Sequence, residues 1–307
     1  MAAELAAGDL DEPVVEDEAA EDGAARDDRV ADERPEQLDS ASHVCHVIAV
    51  GGDDANTDGA GAGGRITWLG HATVLIELDG VRVLTDPVLR RRLAHLERAE
   101  EVAASVLSPI DLVLVSHIHY DHLDRPSLRR LGRRAARVAV PAGAARLLRG
   151  VGVGEVVEVD EGSELDVGAL RVRATHAEHA ATRRMLARGV PSLGFVVEGS
   201  RRVYFAGDTD LFDGMDALAA GLDVALLPVA GWGPTLPPGH LDPAGAAEAA
   251  RRLRPRVAIP IHGGTLKPLY RRTPYSGDAP QQFAARVREV APGVEVRVLG
   301  IGESCEL

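Results

Sequence analysis

The chain reads as a mixed α/β protein behind an acidic tail, and three observations carry that reading. Apolar runs of strand length recur in two blocks, amphipathic stretches of helical period lie between and after them, and charge is divided sharply along the chain. Of 47 acidic and 34 basic residues, residues 1–64 hold 18 and 3, so that segment carries −15 and residues 65–307 carry +2. An Ala- and Gly-rich acidic segment buries too little apolar surface to offset its ordering entropy. Residues 1–64 are therefore expected to be a mostly disordered tail, with 43–50 as a short strand-like exception, and residues 65–307 one folded domain.

The first block of strand-like runs covers 66–69, 73–78, 81–85, 111–115, 137–140 and 155–159. The second covers 170–175, 193–198, 202–206, 224–229, 256–261 and 294–299. Helical patterns fall at 88–104, 126–132, 142–149, 243–253 and 280–290. The fourth helix has the clearest start, with Asp242 as N-cap and Pro243 at the first helical position.

Several function classes are excluded or disfavoured at this level. Cys45 and Cys305 are the two cysteines, which rules out a disulfide framework and points to a reducing cytoplasm. No apolar run approaches the ~20 residues needed to span a bilayer, so no stable membrane insertion is expected. Gly59-x-Gly61-x-x-Gly64 opens into a strand instead of a helix and fails as a dinucleotide fingerprint. A +2 domain without a long basic stripe gives no electrostatic support for nucleic-acid binding.

The chemistry concentrates where strands end. Asp111-Leu-Val-Leu-Val-Ser116 reads as a buried strand and runs into His117-Ile-His119-Tyr-Asp121-His122, four potential metal ligands within six residues. In an extended segment 117, 119 and 121 share a side, and a turn at 121–122 sends His122 elsewhere. Leu170–Thr175 runs into His176 and His179, Arg202–Ala206 into Gly207-Asp208-Thr209, and Arg256–Ile261 into His262-Gly-Gly-Thr265. Core packing does not require several strands to finish in His or Asp. Loops held by a rigid sheet are where sites are built.

These motifs resemble the metallo-β-lactamase fold superfamily. Ile66-Thr-Trp-Leu-Gly-His-Ala-Thr73, Leu84-Thr-Asp-Pro87 and Pro260-Ile-His-Gly-Gly-Thr265 are similar to the branch containing ascorbate-6-phosphate lactonase and the N-acylphosphatidylethanolamine-hydrolysing phospholipase D. The resemblance covers residues 65–307. It implies a four-layer αββα sandwich and two divalent cations, with zinc favoured over manganese or iron. His117, His119 and His179 would hold the first cation; Asp121, His122 and His262 the second; Asp208 would bridge them. His179 is favoured over His176 as the third ligand of the first cation, and His176 would then contact substrate or support a ligand; His240 matches a substrate-contacting histidine of the phospholipase-like relatives. His71 lies near the site without being a ligand. Gly263 replaces a bulky residue common in relatives, which implies a more open pocket wall there.

Imidazole and carboxylate donors suit zinc, manganese or iron(II). Cations roughly 3.5–4 Å apart share a hydroxide and acidify it toward neutrality. The expected activity is therefore hydrolysis of a phosphodiester or lactone, with Asp208, Asp121 and His240 in the catalytic machinery. A hydrolase of amides such as β-lactams is the rival enzyme reading, and a metal-binding scaffold whose tail recruits partners is the rival outside enzymes. Arg183, Arg184 and Arg188 follow His179, and Lys267, Arg271 and Arg272 follow His262. Both clusters are expected on the rim, attracting an anionic small molecule or lipid-derived substrate, with Trp232 lining the mouth.

Overall fold

The computed structural model describes residues 63–102, 108–180 and 189–307. Residues 1–62 of the acidic tail, 103–107 and the segment 181–188, with Arg183, Arg184 and Arg188, lie outside the described residues.

Two seven-stranded sheets face each other. The first takes β1 (Arg65–Gly70), β2 (Thr73–Leu78), β3 (Val81–Thr85), β6 (Ile110–Leu114), β7 (Ala135–Pro141), β8 (Glu155–Val159) and β17 (Ser304–Glu306), in the order β17-β1-β2-β3-β6-β7-β8. The second takes β9 (Glu164–Val167), β10 (Leu170–His176), β11 (Leu193–Glu198), β12 (Arg202–Phe205), β13 (Val224–Pro228), β14 (Val257–Ile261) and β16 (Glu295–Val296), in the order β16-β14-β13-β12-β11-β10-β9. A small third sheet joins β4 (Arg92–Leu93), β5 (Leu96–Arg98) and β15 (Leu266–Pro268). Pairing is antiparallel from β1 to β3 and from β9 to β12, and parallel from β3 through β8 and from β12 through β16.

Side-chain alternation builds the layers. Val74, Ile76, Leu112 and Leu114 meet Phe195, Phe205, Leu226 and Ile259 between the sheets. Their neighbours on the same strands point outward: Val113 and Val115 pack with Leu128 and Leu131 of α1 (Arg125–Leu131). On the opposite side Tyr204, Ala225 and Leu227 pack with α2 (Pro243–Leu253) and α3 (Ala279–Val290) through Ala246, Ala250, Phe283 and Val287. The result is the four-layer αββα sandwich. Strands covered on both faces must be apolar at consecutive positions, which is why Val113–Val115 and Val224–Leu227 read as continuous runs. Phe283 is wholly buried in the outer layer. Its truncation to Ala should cost about 3–5 kcal/mol in urea unfolding; a loss under about 1 kcal/mol would show that α3 is not an integral layer.

α2 starts as its sequence indicates: Asp242 accepts from the Gly245 N–H at 2.7 Å and Pro243 follows. Over its described residues, 88–102, the pattern expected at 88–104 does not form a helix. Leu93 and Leu96 instead belong to the β4–β5 hairpin and pack with Val88 and with Leu266 of β15. Arg98 locks this arrangement, its buried guanidinium donating to the carbonyls of Leu69 and Val88 with its pKa pulled down to about 10 by burial. Residues 142–149 supply one short 3₁₀ turn, Ala145–Leu148, and 294–299 pair over Glu295–Val296 alone before the chain leaves toward β17. Among the described residues no helix is long and apolar enough to cross a membrane.

Candidate metal centre

The site gathers at the ends of strands where the sheets splay. His117, His119, Asp121 and His122 follow β6, Asp86 follows β3, Asp208 follows β12, His262 follows β14 and His179 follows β10. Except for antiparallel β10, these are carboxyl ends of parallel-paired strands, the edge where open α/β sheets bind ligands. The backbone bends hard to reach it: His71, Asp86 and His262 have φ of 56°, 32° and 61°, in the left-handed region that side chains disfavour. Gly207, at φ +62°, sets up Asp208; a Cβ there would meet Ser116 Cβ at 2.6 Å.

Three imidazoles form one group. His117 Nε2 lies 3.0 Å from His119 Nδ1, and His179 Nε2 lies 3.2 Å from that same nitrogen. Outer hydrogen bonds set two of the tautomers. Ser116 Oγ donates its proton to Asp86 Oδ2 at 2.5 Å and so accepts from His117 Nδ1–H at 3.0 Å. His179 Nδ1–H donates to the Gly239 carbonyl at 2.8 Å. Both rings thus turn an Nε2 lone pair inward, toward His119.

Asp121, His122 and His262 form the second group. His262 Nδ1–H donates to the Ala230 carbonyl at 2.6 Å, and His122 Nδ1–H to Asp86 Oδ2 at 2.7 Å. Their Nε2 atoms face each other at 3.1 Å. Asp121 Oδ2 sits 3.6 and 3.8 Å from those nitrogens and accepts from His71 Nε2–H at 3.0 Å. Asp208 stands between the groups. Its Oδ2 is 3.2 Å from His122 Nε2 and 3.8 Å from His117 Nε2, and its Oδ1 is 3.2 Å from His262 Nε2.

Burial and the two carboxylates compete here. Burial lowers His117 and His179 and takes His119 and His262 down to about 4, so these rings stay neutral. Burial also acts on His122, but Asp208, Asp121 and Asp86 outweigh it and hold the ring well above its ordinary value. Asp121 and Asp208 are held below the usual carboxylate range against their burial, chiefly by His122. Asp208 Oδ1 is buried without a hydrogen-bond donor, because the facing His262 nitrogen carries no proton. An orphaned anionic oxygen beside inward lone pairs is the environment a cation satisfies, so the residues fit metal ligation.

A cavity of about 570 Å³ opens onto this cluster, bordered by His119, Asp121, Asp208, His240 and His262 at its base and by Leu93–Leu96 and the 231–237 loop at its sides. The family described as "Beta-lactamase superfamily domain" matches residues 81–263. A UPF0173 metal-dependent hydrolase from Methanopyrus kandleri is 36% identical over 251 residues, covering 79% of this chain and 99% of that protein. The chain belongs to the metallo-β-lactamase superfamily. The solved structure of Igni18, a metallo hydrolase from Ignicoccus hospitalis, superposes with a TM-score of 0.62 at 26% identity, covering 80% of this chain and 98% of that one. CmlA, a diiron β-hydroxylase from Streptomyces venezuelae, shares the fold with a TM-score of 0.61 at 20% identity, covering 81% and 55% respectively. One fold thus carries different chemistries, and function has to be argued from the site.

The seven residues that the resemblance offered as ligands lie together in this chain, and His240 and Trp232 border the cavity. His240 Nε2 faces Asp208 Oδ2 at 3.4 Å, and its Nδ1–H donates to the Pro237 carbonyl at 3.0 Å. His176 does not join them: it is half-exposed between Glu161 and Glu178, against the Phe212 ring. Lys267, Arg271 and Arg272 are not in the cavity wall. Gly263 does not border the cavity either; a Cβ there would point at Val229 Cγ2, 3.3 Å away. Asp86 and Ser116 were missed as site residues. The signal was present in the Thr-Asp-Pro turn after β3, but a carboxylate reaching a loop 30 residues later leaves no local spacing to read.

Proposed function

We propose that this protein is a binuclear metal-dependent hydrolase of lactone or phosphodiester bonds, in the lactonase and phospholipase D-like branch of its superfamily. The buried, unpartnered Asp208 Oδ1 among inward-facing imidazole nitrogens carries the reading. His117, His119 and His179 would hold one cation, Asp121, His122 and His262 a second, and Asp208 would serve both. Bound zinc, manganese or iron(II) would supply Lewis-acid polarisation of the scissile group and an acidified water.

The chain's own residues do the rest. The Ala230 and Gly239 carbonyls hold the His262 and His179 rings with Nε2 lone pairs inward, and Asp86 holds the Nδ1–H of His122, whose Nε2 proton a bound cation would displace. His71 donates to Asp121 Oδ2, the oxygen that lies 3.6 and 3.8 Å from His122 and His262 Nε2, and so fixes that carboxylate against the centre. His240 borders the cavity with a proton at Nε2, raised in pKa by Asp208 although burial opposes it. From there it can donate to the developing oxyanion or the leaving oxygen. A complete ligand set argues against a degenerate scaffold, in which at least one position would be lost.

Calorimetric titration of chelator-stripped full-length protein with zinc should give two equivalents per chain. Turnover of an activated ester or phosphodiester should vanish on stripping and return with metal. One equivalent would overturn the binuclear assignment, and activity indifferent to chelation would overturn the metal-dependent one.

A further inference from the structure

The cavity wall away from the metal ligands is of a different character from its base. On one side the β4–β5 hairpin offers Leu93, Ala94 and Leu96, with Ala94 at φ 51° forming the tight tip. Opposite stand Trp232, Pro234 and Pro237, on a loop stiffened by its prolines. The two sides meet where the His95 ring packs edge-on to Trp232, ring centres 5.3 Å apart. Among the described residues bordering the cavity the charged side chains are Asp121, Asp208 and the doubly protonated His240, all at the base, and no Lys or Arg is present. A charged group on the body of a substrate would lose its hydration against these walls without a partner among the described residues. An apolar body would instead gain from every methylene it buries.

Building on the hydrolase reading, we infer that this pocket selects substrates whose body beyond the scissile group is uncharged and apolar, an alkyl or aryl chain seated between Trp232 and Leu93–Leu96. The metals hold the polar scissile end; the hairpin and the proline loop grade the tail. The volume of about 570 Å³ falls in the range of small-molecule sites and suits a tail of several carbons. Electrostatic attraction of an anionic body by the basic residues after His262 has no counterpart in this wall.

The test uses zinc-loaded full-length protein and two head groups. γ-Butyrolactone, γ-octalactone and γ-decalactone form one series, and methyl and hexyl p-nitrophenyl phosphate the other. A γ-lactone with a tail as long as that of γ-decalactone but ending in a carboxylate is the charged control. Within whichever series turns over, kcat/KM should rise at least about tenfold from the shortest to the longest tail. The carboxylate-tailed lactone should fall back to the level of γ-butyrolactone. Trp232→Ala should flatten the length dependence, mainly through KM, and Trp232→Phe should retain it. Flat length dependence, or preference for the charged tail, would overturn the inference while leaving the hydrolase intact. If neither head group is turned over, the hydrolase reading has failed, and binding decides the pocket separately. Trp68 is buried and Trp232 is 38% exposed, so a saturable fluorescence change with γ-decalactone that disappears in Trp232→Phe supports an apolar subsite. No such change would reject it.

Discussion

Asp208→Ala is expected to lower metal-dependent turnover by about 10³-fold or more. The magnitude follows from losing several kcal/mol of charge stabilisation together with water activation. Asp208 is 2% exposed and is the carboxylate that reaches both imidazole groups, within 3.2 Å of His122 and His262 and 3.8 Å of His117. No neighbouring acid can take its place, since Asp121 is already committed to His71 and Asp86 to His122 and Ser116. The fold should persist, because Asp208 contributes nothing to either apolar layer. Steady-state kinetics at saturating zinc, with circular dichroism beside them, give the check. Near-normal turnover in a folded variant would remove the basis for the two-metal reading.

Asp86→Ala should cost about 10–100-fold in metal affinity or activity, the usual effect of removing a group that orients ligands. This one fully buried carboxylate sets a ring in each group. It accepts His122 Nδ1–H directly at 2.7 Å, and it fixes His117 through Ser116 Oγ, which donates to it at 2.5 Å. Its other oxygen accepts the Ser116 N–H at 2.7 Å. Removing it strands buried donors at roughly 1–3 kcal/mol each, so thermal stability should fall as well. Asp86→Asn separates the effects: the shape survives, but an amide cannot accept all three protons, so zinc affinity should drop more than stability. Zinc titration and thermal unfolding of both variants provide the measurement. Unchanged zinc affinity in either variant would exclude the positioning role.

Much of the candidate centre was legible because potential ligands grouped on one loop leave a local mark. His117, His119, Asp121 and His122 announce themselves by spacing, and Asp208 and His262 by lying directly after apolar runs. The αββα layering came from resemblance, since apolar runs alone do not reveal how two sheets stack. Short edge pieces were illegible. β9 pairs along one edge with half-exposed residues, and β17 has three residues, so neither shows an apolar run. The helix expected at 88–104 failed because its apolar spacing suited a hairpin equally well. Pairing with β15, some 170 residues onward, decided between them.

By itself the sequence determined which side chains are available for chemistry and roughly where each strand ends, because burial on two faces forces apolar runs and the polar residues that stop them. Tertiary structure alone decided which of those side chains meet. His176 and His179 are three residues apart and chemically identical. One faces solvent between two glutamates, and the other turns a lone pair toward His119 because the Gly239 carbonyl, 60 residues away, holds its opposite nitrogen. The apolar wall between Trp232 and Leu93–Leu96 has the same origin. Its two sides are remote in sequence and become a pocket where the hairpin and the proline loop pack together across the mouth of the centre.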